Sequence, residues 1–207
     1  MKIIEYLVLF IIIISFGLGL FYYNQLPLQI ALHWNAKGQA DGYALRPWVF
    51  LMPVISIVLF LLFLLIPKID PLKENVKKFR KYFDNFILIV FLFLFYIHLL
   101  SILWNLGVRF NMTVFLIPAM AALFYFAGVM TENAEQNWFI GIRTPWTLSS
   151  PRVWEKTNKL GGKLFKVSAA ISLLGLAFQT LAIWFVIIPA ITSALYLLLY
   201  SYLQYKK

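Results

Sequence analysis

The sequence contains no cysteine, only 13% charged residues and just two histidines in 207 positions. The absence of thiols rules out a disulfide framework, a thiolate nucleophile and a thiolate metal site. Charge is scarce because apolar residues fill the chain. Hydrophobic residues make up 62% of it and the mean hydropathy is +0.83, beyond what a water-soluble domain of this size needs to cover its core. Soluble-enzyme, disordered and collagenous classes are excluded, and the chain is read as an integral membrane protein.

Apolar runs at 6–23, 47–66, 86–104 and 112–129 are each long enough, at about 1.5 Å per residue, to cross a hydrocarbon core of about 30 Å. The first follows Lys2 but is long for the apolar region of a signal peptide. It also lacks a small-x-small cleavage pattern before Gln25-Leu26-Pro27, so it reads as a retained helix. From 167 to 203 the sequence stays apolar for too long to cross once. A tight hairpin between Gln179 and Pro189 divides it, with Pro189 near the start of a sixth helix. The expected fold class is an all-α integral membrane protein with six transmembrane helices.

Lys and Arg concentrate in cytoplasmic loops, and fifteen of the 18 fall on one side of these spans. They are Lys2, a cluster from Lys68 to Lys81, a second from Arg143 to Lys166, and the pair Lys206 and Lys207. Lys37, Arg46 and Arg109 face the other side. The asymmetry predicts a multi-pass protein of the cell membrane with both termini in the cytoplasm and the first, third and fifth loops outside. The net charge of +10 is then mostly topological, and direct nucleic-acid binding is unsupported.

No tandem repeat or low-complexity tract is present, so chemistry beyond lipid-facing packing belongs to the loops. The outer loop, 24–46, carries His33-Trp34-Asn35-Ala36-Lys37-Gly38-Gln39-Ala40-Asp41-Gly42, where glycines permit turns and aromatics suit the interface. On the cytoplasmic side, Asp70 reads as an N-cap with Pro71 at the first helical position. Leu72, Val76, Phe79 and Phe83 follow at helical spacing, as in an amphipathic helix resting on anionic head groups. The loop over 131–166 is the most distinctive. Ser150-Pro151 caps a helix with a basic stripe (Arg152, Lys156, Lys159, Lys163, Lys166) beside an apolar one (Val153, Thr157, Leu160, Leu164, Val167). Gly161-Gly162 provides a bend into the fifth span or a close approach for another helix.

Before that helix stands Asn137-Trp138-Phe139-Ile140-Gly141-Ile142-Arg143-Thr144-Pro145-Trp146-Thr147-Leu148. An Arg among Trp side chains at head-group level can grip a carboxylate or phosphate, or stack on an indole. The plainer alternative makes Trp138, Trp146 and Trp154 interface anchors and pairs Arg143 with lipid phosphate. Together with Trp154-x-x-Thr157-x-x-x-Gly161-Gly162, this run resembles the signature of the SdpI family. Leu26-Pro27 followed by His33-Trp34-Asn35-x-x-Gly38-x-x-Asp41 resembles the small N-terminal domain of unknown function that accompanies many such proteins. Two departures stand out. Asn158 occupies a position where many members have His, and Ala31 stands where a Pro often precedes the His-Trp pair.

The resemblance implies immunity against a secreted, SdpC-type killing peptide that acts on the membrane, and signalling by drawing a cognate transcriptional repressor to it. It divides the chain into an N-terminal two-helix hairpin, 1–66, and an SdpI-like four-helix membrane region, 67–207. The expected partner or toxin surface in the cytoplasmic motif is Asn137, Gly141, Arg143, Thr144, Pro145, Trp146, Thr147, Trp154, Thr157 and Asn158, with Arg143, Trp146 and Trp154 forming one contact face. His33, Trp34, Gly38 and Asp41 are the outer set.

Anionic lipids are an expected partner, and no cofactor or metal is expected. His98, inside the third span, is either a functional ionisable group or a neutral side chain bonded to a neighbouring helix. Transport is the alternative function, though no second buried charge completes a proton relay. A membrane enzyme is weaker still. Glu132 and Glu135 are expected inside, His33 and Asp41 outside, and His33 with Asp41 alone supplies too few ligands for a typical zinc site. The two glutamates are expected to cap helix surface or pair with nearby Lys or Arg.

Overall fold

The computed structural model describes residues 3–207; Lys2, counted above with the basic side, lies outside the described residues. The chain begins with α1 (Ile3–Tyr22), which ends in a 3-10 turn just before Pro27. It then forms an antiparallel hairpin of β1 (Gln29–Trp34) and β2 (Ala40–Leu45). The helices that follow are α2 (Leu51–Ile69), α3 (Lys73–Lys78), α4 (Arg80–Asn105), α5 (Met112–Asn133), α6 (Pro145–Ser149), α7 (Pro151–Leu173) and α8 (Trp184–Tyr205). Five helical segments are long and apolar enough to cross a membrane: Ile3–Gln25, Arg46–Ile69, Arg80–Asn105, Met112–Asn133 and Trp184–Tyr205.

α7 is not among the five, yet it runs antiparallel along α5. The Trp154 indole N–H donates to the carbonyl of Ala134 at 2.7 Å, Gly162 lies against Gly128, and Gly175, just past α7, lies against Ile117. The helix from Pro151 runs unbroken past Gly161-Gly162, so the surface helix and the expected fifth span are one element. The two glycines serve the other purpose read from the sequence, close approach. A Cβ on Gly162 would stand 2.6 Å from the carbonyl oxygen of Gly128 and 2.5 Å from Cβ of Glu132.

The buried face of α7 takes in the start of the expected apolar stripe, Val153 and Thr157, with Leu160 and Leu164 partly covered. Val153, Trp154, Thr157, Asn158, Gly161, Gly162, Ser168, Ala169 and Ser172 are buried, while Val167, at the end of the apolar stripe, is 52% exposed. Small residues let backbones approach, and in lipid that packing outweighs the pull of a hydrophobic stripe, because lipid tails are as apolar as Val or Leu.

The loop after α2 also differs from expectation. Asp70 does not cap α3, whose N-cap position is Leu72 and has no side-chain cap. The stripe Val76, Phe79 and Phe83 does not lie on head groups but enters the protein core with Phe60, Phe91, Ile140 and Trp154. At the far end, Pro189 lies inside α8, which begins at Trp184.

α1 packs on α2 and α4, α4 reaches α5, α5 lies along α7, and α7 along α8. His98 on α4 is buried and its Nε2 lies 3.0 Å from the Ser15 carbonyl of α1, so this imidazole bonds to a neighbouring helix. At the opposite end of α1 and α4, Arg80 pairs with Asp84 at 2.5 Å and reaches Glu5 at 3.9 Å.

If the Gly128–Gly162 contact sets the α5–α7 distance, Gly162→Val should cost about 1–3 kcal/mol of stability, the range for overpacked sites. Gly17→Ala, where an added Cβ meets nothing within 4 Å, should not destabilise. Thermal unfolding of both variants in the same detergent checks this; equal melting temperatures would show that the contact is dispensable.

Candidate functional site

The residues of the motif meet at one end of the helices, where the 134–150 segment folds over the start of α7. Asn137 is fully buried and organises the turn from inside. Its Oδ1 accepts from the backbone N–H groups of Phe139 (2.9 Å) and Ile140 (2.6 Å), while its Nδ2 donates to the carbonyls of Glu135 and Ile140. Gly141 then takes φ +100°, and a Cβ there would lie 2.6 Å from Asn158 Oδ1. That oxygen accepts from the Ile142 N–H at 2.8 Å, and Asn158 Nδ2 donates to the Trp154 carbonyl. An amide thus does the local bonding at this position, accepting from a main-chain N–H and donating to a carbonyl.

Thr144 and Thr147 form a reciprocal capping box at the start of α6, with Pro145 in its first turn. Thr144 Oγ1 also bonds Ser201 Oγ of α8 at 3.1 Å. Such capping satisfies backbone donors that a helix start leaves unpaired. Thr157 is buried with no hydrogen-bond partner for its hydroxyl among the described residues.

The expected single face of Arg143, Trp146 and Trp154 is divided by depth. Trp154 is 2% exposed. Trp146 is partly buried, with its ring 5.1 Å from that of Tyr202. Arg143 is exposed and donates to the Trp138 carbonyl at 2.7 Å. Beside this turn opens a cavity of about 700 Å³, walled in part by Glu132, Glu135, Arg152, Trp154, Asn158 and Lys159. Glu132 pairs with Lys166 across the α5–α7 contact, as expected for a glutamate near basic residues. At the exposed start of α7, a hydrogen bond from Lys159 holds the Glu155 carboxyl below the usual carboxylate range. The same bond raises the pKa of Lys159.

At the other end lies the β-hairpin. His33 and Asp41 pair at 2.5 Å on its exposed face. Gly38, at φ +74°, makes the tip, and a Cβ there would overlap Asn111. Trp34 packs edge-on against Trp104 at 5.7 Å. The hairpin is docked by side chains that no motif announces. Asn105 accepts from the N–H of Ala31 (2.7 Å) and donates to its carbonyl (3.0 Å), as a neighbouring strand would. Asn111 caps α5 and donates to the Lys37 carbonyl. Glu132 and Glu135 stand at and just beyond the far end of α5, roughly 30 Å of helix away from the hairpin. No group of three or more His, Cys, Asp or Glu able to hold a metal occurs among the described residues.

Residues 133–201 match the SdpI/YfhL protein family, and residues 10–57 match a domain of unknown function, DUF1648. The SdpI/YfhL similarity covers 69 of the 207 residues of this chain. The match at 133–201 covers the folded motif, and the one at 10–57 covers the β-hairpin. Immunity protein SdpI of Bacillus subtilis (strain 168) is 25% identical over 198 residues, covering 95% of this chain and 93% of that protein. No solved structure matches.

Between the two family regions stands a residue missed by the sequence reading. Asp70 is 2% exposed; Oδ1 accepts from the Leu72 N–H (2.7 Å) and Oδ2 from the Trp138 N–H (3.0 Å). Asn75 and Gln136 add bonds, Asn75 to the Gln136 carbonyl and Gln136 to the carbonyls of Thr147 and Leu148. The one available signal was Asp70-Pro71, which local reading assigns to a cap. Its contact with Trp138 spans 68 positions and has no periodicity.

Losing the Asn137 acceptor leaves two N–H groups unpaired, each worth about 1–3 kcal/mol when buried. Asn137→Ala should therefore speed hydrogen exchange at Phe139 and Ile140 at least tenfold, while amides of the distant β-hairpin keep their rates. Unchanged exchange at Ile140 would mean that Asn137 does not hold the turn.

Proposed function

We propose that this chain is a bacterial membrane immunity protein that gives resistance to a secreted SdpC-type killing peptide. The observation that carries the reading is the similarity to an immunity protein along nearly the whole of both chains. The coarser statement, a multi-pass membrane protein with an immunity relationship, rests on that similarity and on the apolar helices. On this reading α7 is a sixth crossing beside α5, and both termini lie in the cytoplasm with the basic residues. The β-hairpin is then the outer face, where His33, Trp34, Gly38 and Asp41 meet the peptide.

The cytoplasmic motif divides its labour by burial. Arg143 is the direct contact, with Trp146 partly available, whereas Asn137, Gly141, Thr144, Pro145, Thr147, Trp154, Thr157 and Asn158 shape the turn that presents it. Anionic head groups pair with the basic residues around it. The cavity beside the motif favours a second role. Its mixed carboxylate, guanidinium and ammonium groups suit a polar protein segment, and the partner proposed is a cognate transcriptional repressor drawn to the membrane. No catalytic role is proposed. The buried His98 is assigned to joining α1 and α4 rather than to transport.

Expression in a sensitive strain challenged with purified SdpC-type peptide should raise survival at least tenfold, and Arg143→Ala at equal membrane abundance should lose most of that gain. No protection by the wild type would defeat the immunity reading; full protection by the variant would remove Arg143 from it. Because the chain has no cysteine, single cysteines test orientation cleanly. Lys37→Cys should react with a membrane-impermeant maleimide in intact cells, and Lys156→Cys only after permeabilisation. The opposite pattern would invert the topology.

A further inference from the structure

The exposed guanidinium of Arg143 is anchored on a single residue. It donates to the Trp138 carbonyl at 2.7 Å, so its direction depends on where that carbonyl points. The Trp138 side chain is half exposed, but its main chain is held on both sides. The peptide unit that carries the carbonyl is fixed at its other end, where the Phe139 N–H donates to Asn137 Oδ1 at 2.9 Å. The N–H of Trp138 itself donates to Asp70 Oδ2 at 3.0 Å.

Asp70 comes from outside the motif. It follows directly on α2, lies between the two matched regions and is 2% exposed. Its Oδ1 accepts from the Leu72 N–H at 2.7 Å, which leaves Oδ2 for residue 138. An ionised carboxylate only accepts, and its bonds to main-chain N–H groups are stronger than neutral ones. The same loop grips the turn a second time, where Asn75 donates to the Gln136 carbonyl at 2.9 Å. That second bond ends two residues before Trp138 and touches neither Trp138 nor Arg143.

We propose that Asp70 is a positioning residue for Arg143: by fixing Trp138 it sets the direction in which the guanidinium is presented to its partner. The proposal rests on the reading of Arg143 as the direct contact and adds what aims it. A free arginine on a surface samples many rotamers and loses that freedom on binding. Held to a fixed carbonyl through one N–H, the planar fork is ordered beforehand and keeps its other donors for a carboxylate or phosphate. A contact side chain is only as well placed as the bonds behind it.

The test has two readings. The first is the rate at which phenylglyoxal, an arginine-specific dicarbonyl, modifies Arg143 in the purified protein, followed by peptide mass spectrometry with the exposed Arg152 as internal reference. Asp70→Asn keeps the side-chain shape but leaves one oxygen for two N–H donors, and the shorter bond to Leu72 retains it. Arg143 should then react at least about threefold faster than in the wild type, the order expected for one net hydrogen bond. Asp70→Ala, which removes both acceptors, should do the same, and Arg152 should keep its rate in both. Asn75→Ala removes a bond from the same loop to the same turn and should leave the Arg143 rate as it is in the wild type.

The second reading is survival under purified SdpC-type peptide at matched membrane abundance. Asp70→Asn should lose most of the protection that Arg143→Ala loses. The double variant should survive no worse than Arg143→Ala alone, because residues acting through one contact are not additive. A purely structural Asp70 would add its own loss to that of Arg143→Ala. An Arg143 rate unchanged in both Asp70 variants, an equal acceleration in Asn75→Ala, or an additive double variant overturns the proposal. Failure of the wild type to protect defeats the immunity reading alone, since the modification rates are measured without peptide and still decide the positioning.

Discussion

The approach of α7 to α5 is the constraint on which the rest of the basic end depends. Where Gly162 meets Gly128, two backbones come together at a distance that no side chain allows. A helix with little hydrophobic character of its own is thereby held along an apolar one. Lipid gives apolar side chains no reason to prefer protein, so close backbone packing and interhelical hydrogen bonds do the joining. Glu132 and Lys166 pair at this same contact. The Trp154–Ala134 hydrogen bond continues it, and the motif turn is built on top.

That turn is organised from beneath by neutral hydrogen-bonding side chains. Asn137, Asn158, Thr144 and Thr147 each satisfy main-chain groups that a buried irregular segment would otherwise leave unpaired. Asp70 extends the network to the loop before α3, so the motif is tied to α2 and α3 as well as to α7 and α8. Arg143 and the basic residues at the start of α7 stay exposed, whereas the carboxylate of Asp70 is buried in the network. The hairpin end follows a similar scheme with different parts, since Asn105 and Asn111 replace strand and turn partners for a two-stranded sheet that would be marginal alone.

Much of this was legible in the sequence. Runs of apolar residues placed five long helices, Ser150-Pro151 placed the start of α7, and the two motif regions coincide with the two family matches. The errors have a common origin. The stripe from Val153 to Val167 and the stripe from Val76 to Phe83 were both assigned by periodicity. Periodicity identifies a face without saying whether lipid, head groups or protein will cover it. The first face is covered at Val153 and Thr157 but exposed at Val167, because the close approach at Gly161 and Gly162 buries the residues beside the stripe. The second turned inward because the core offered it Phe60, Phe91 and Trp154.

The sequence by itself determined the membrane class, the long apolar helices and the identity of the motif residues. These follow from composition and local spacing, which the bilayer and backbone hydrogen bonding read directly. Tertiary structure alone decided that Trp154 is buried while Arg143 is exposed, that Asp70 holds the motif turn and that His98 bonds to α1. Each depends on which distant backbone group stands within about 3 Å of a side chain, and that is settled only when the helices pack.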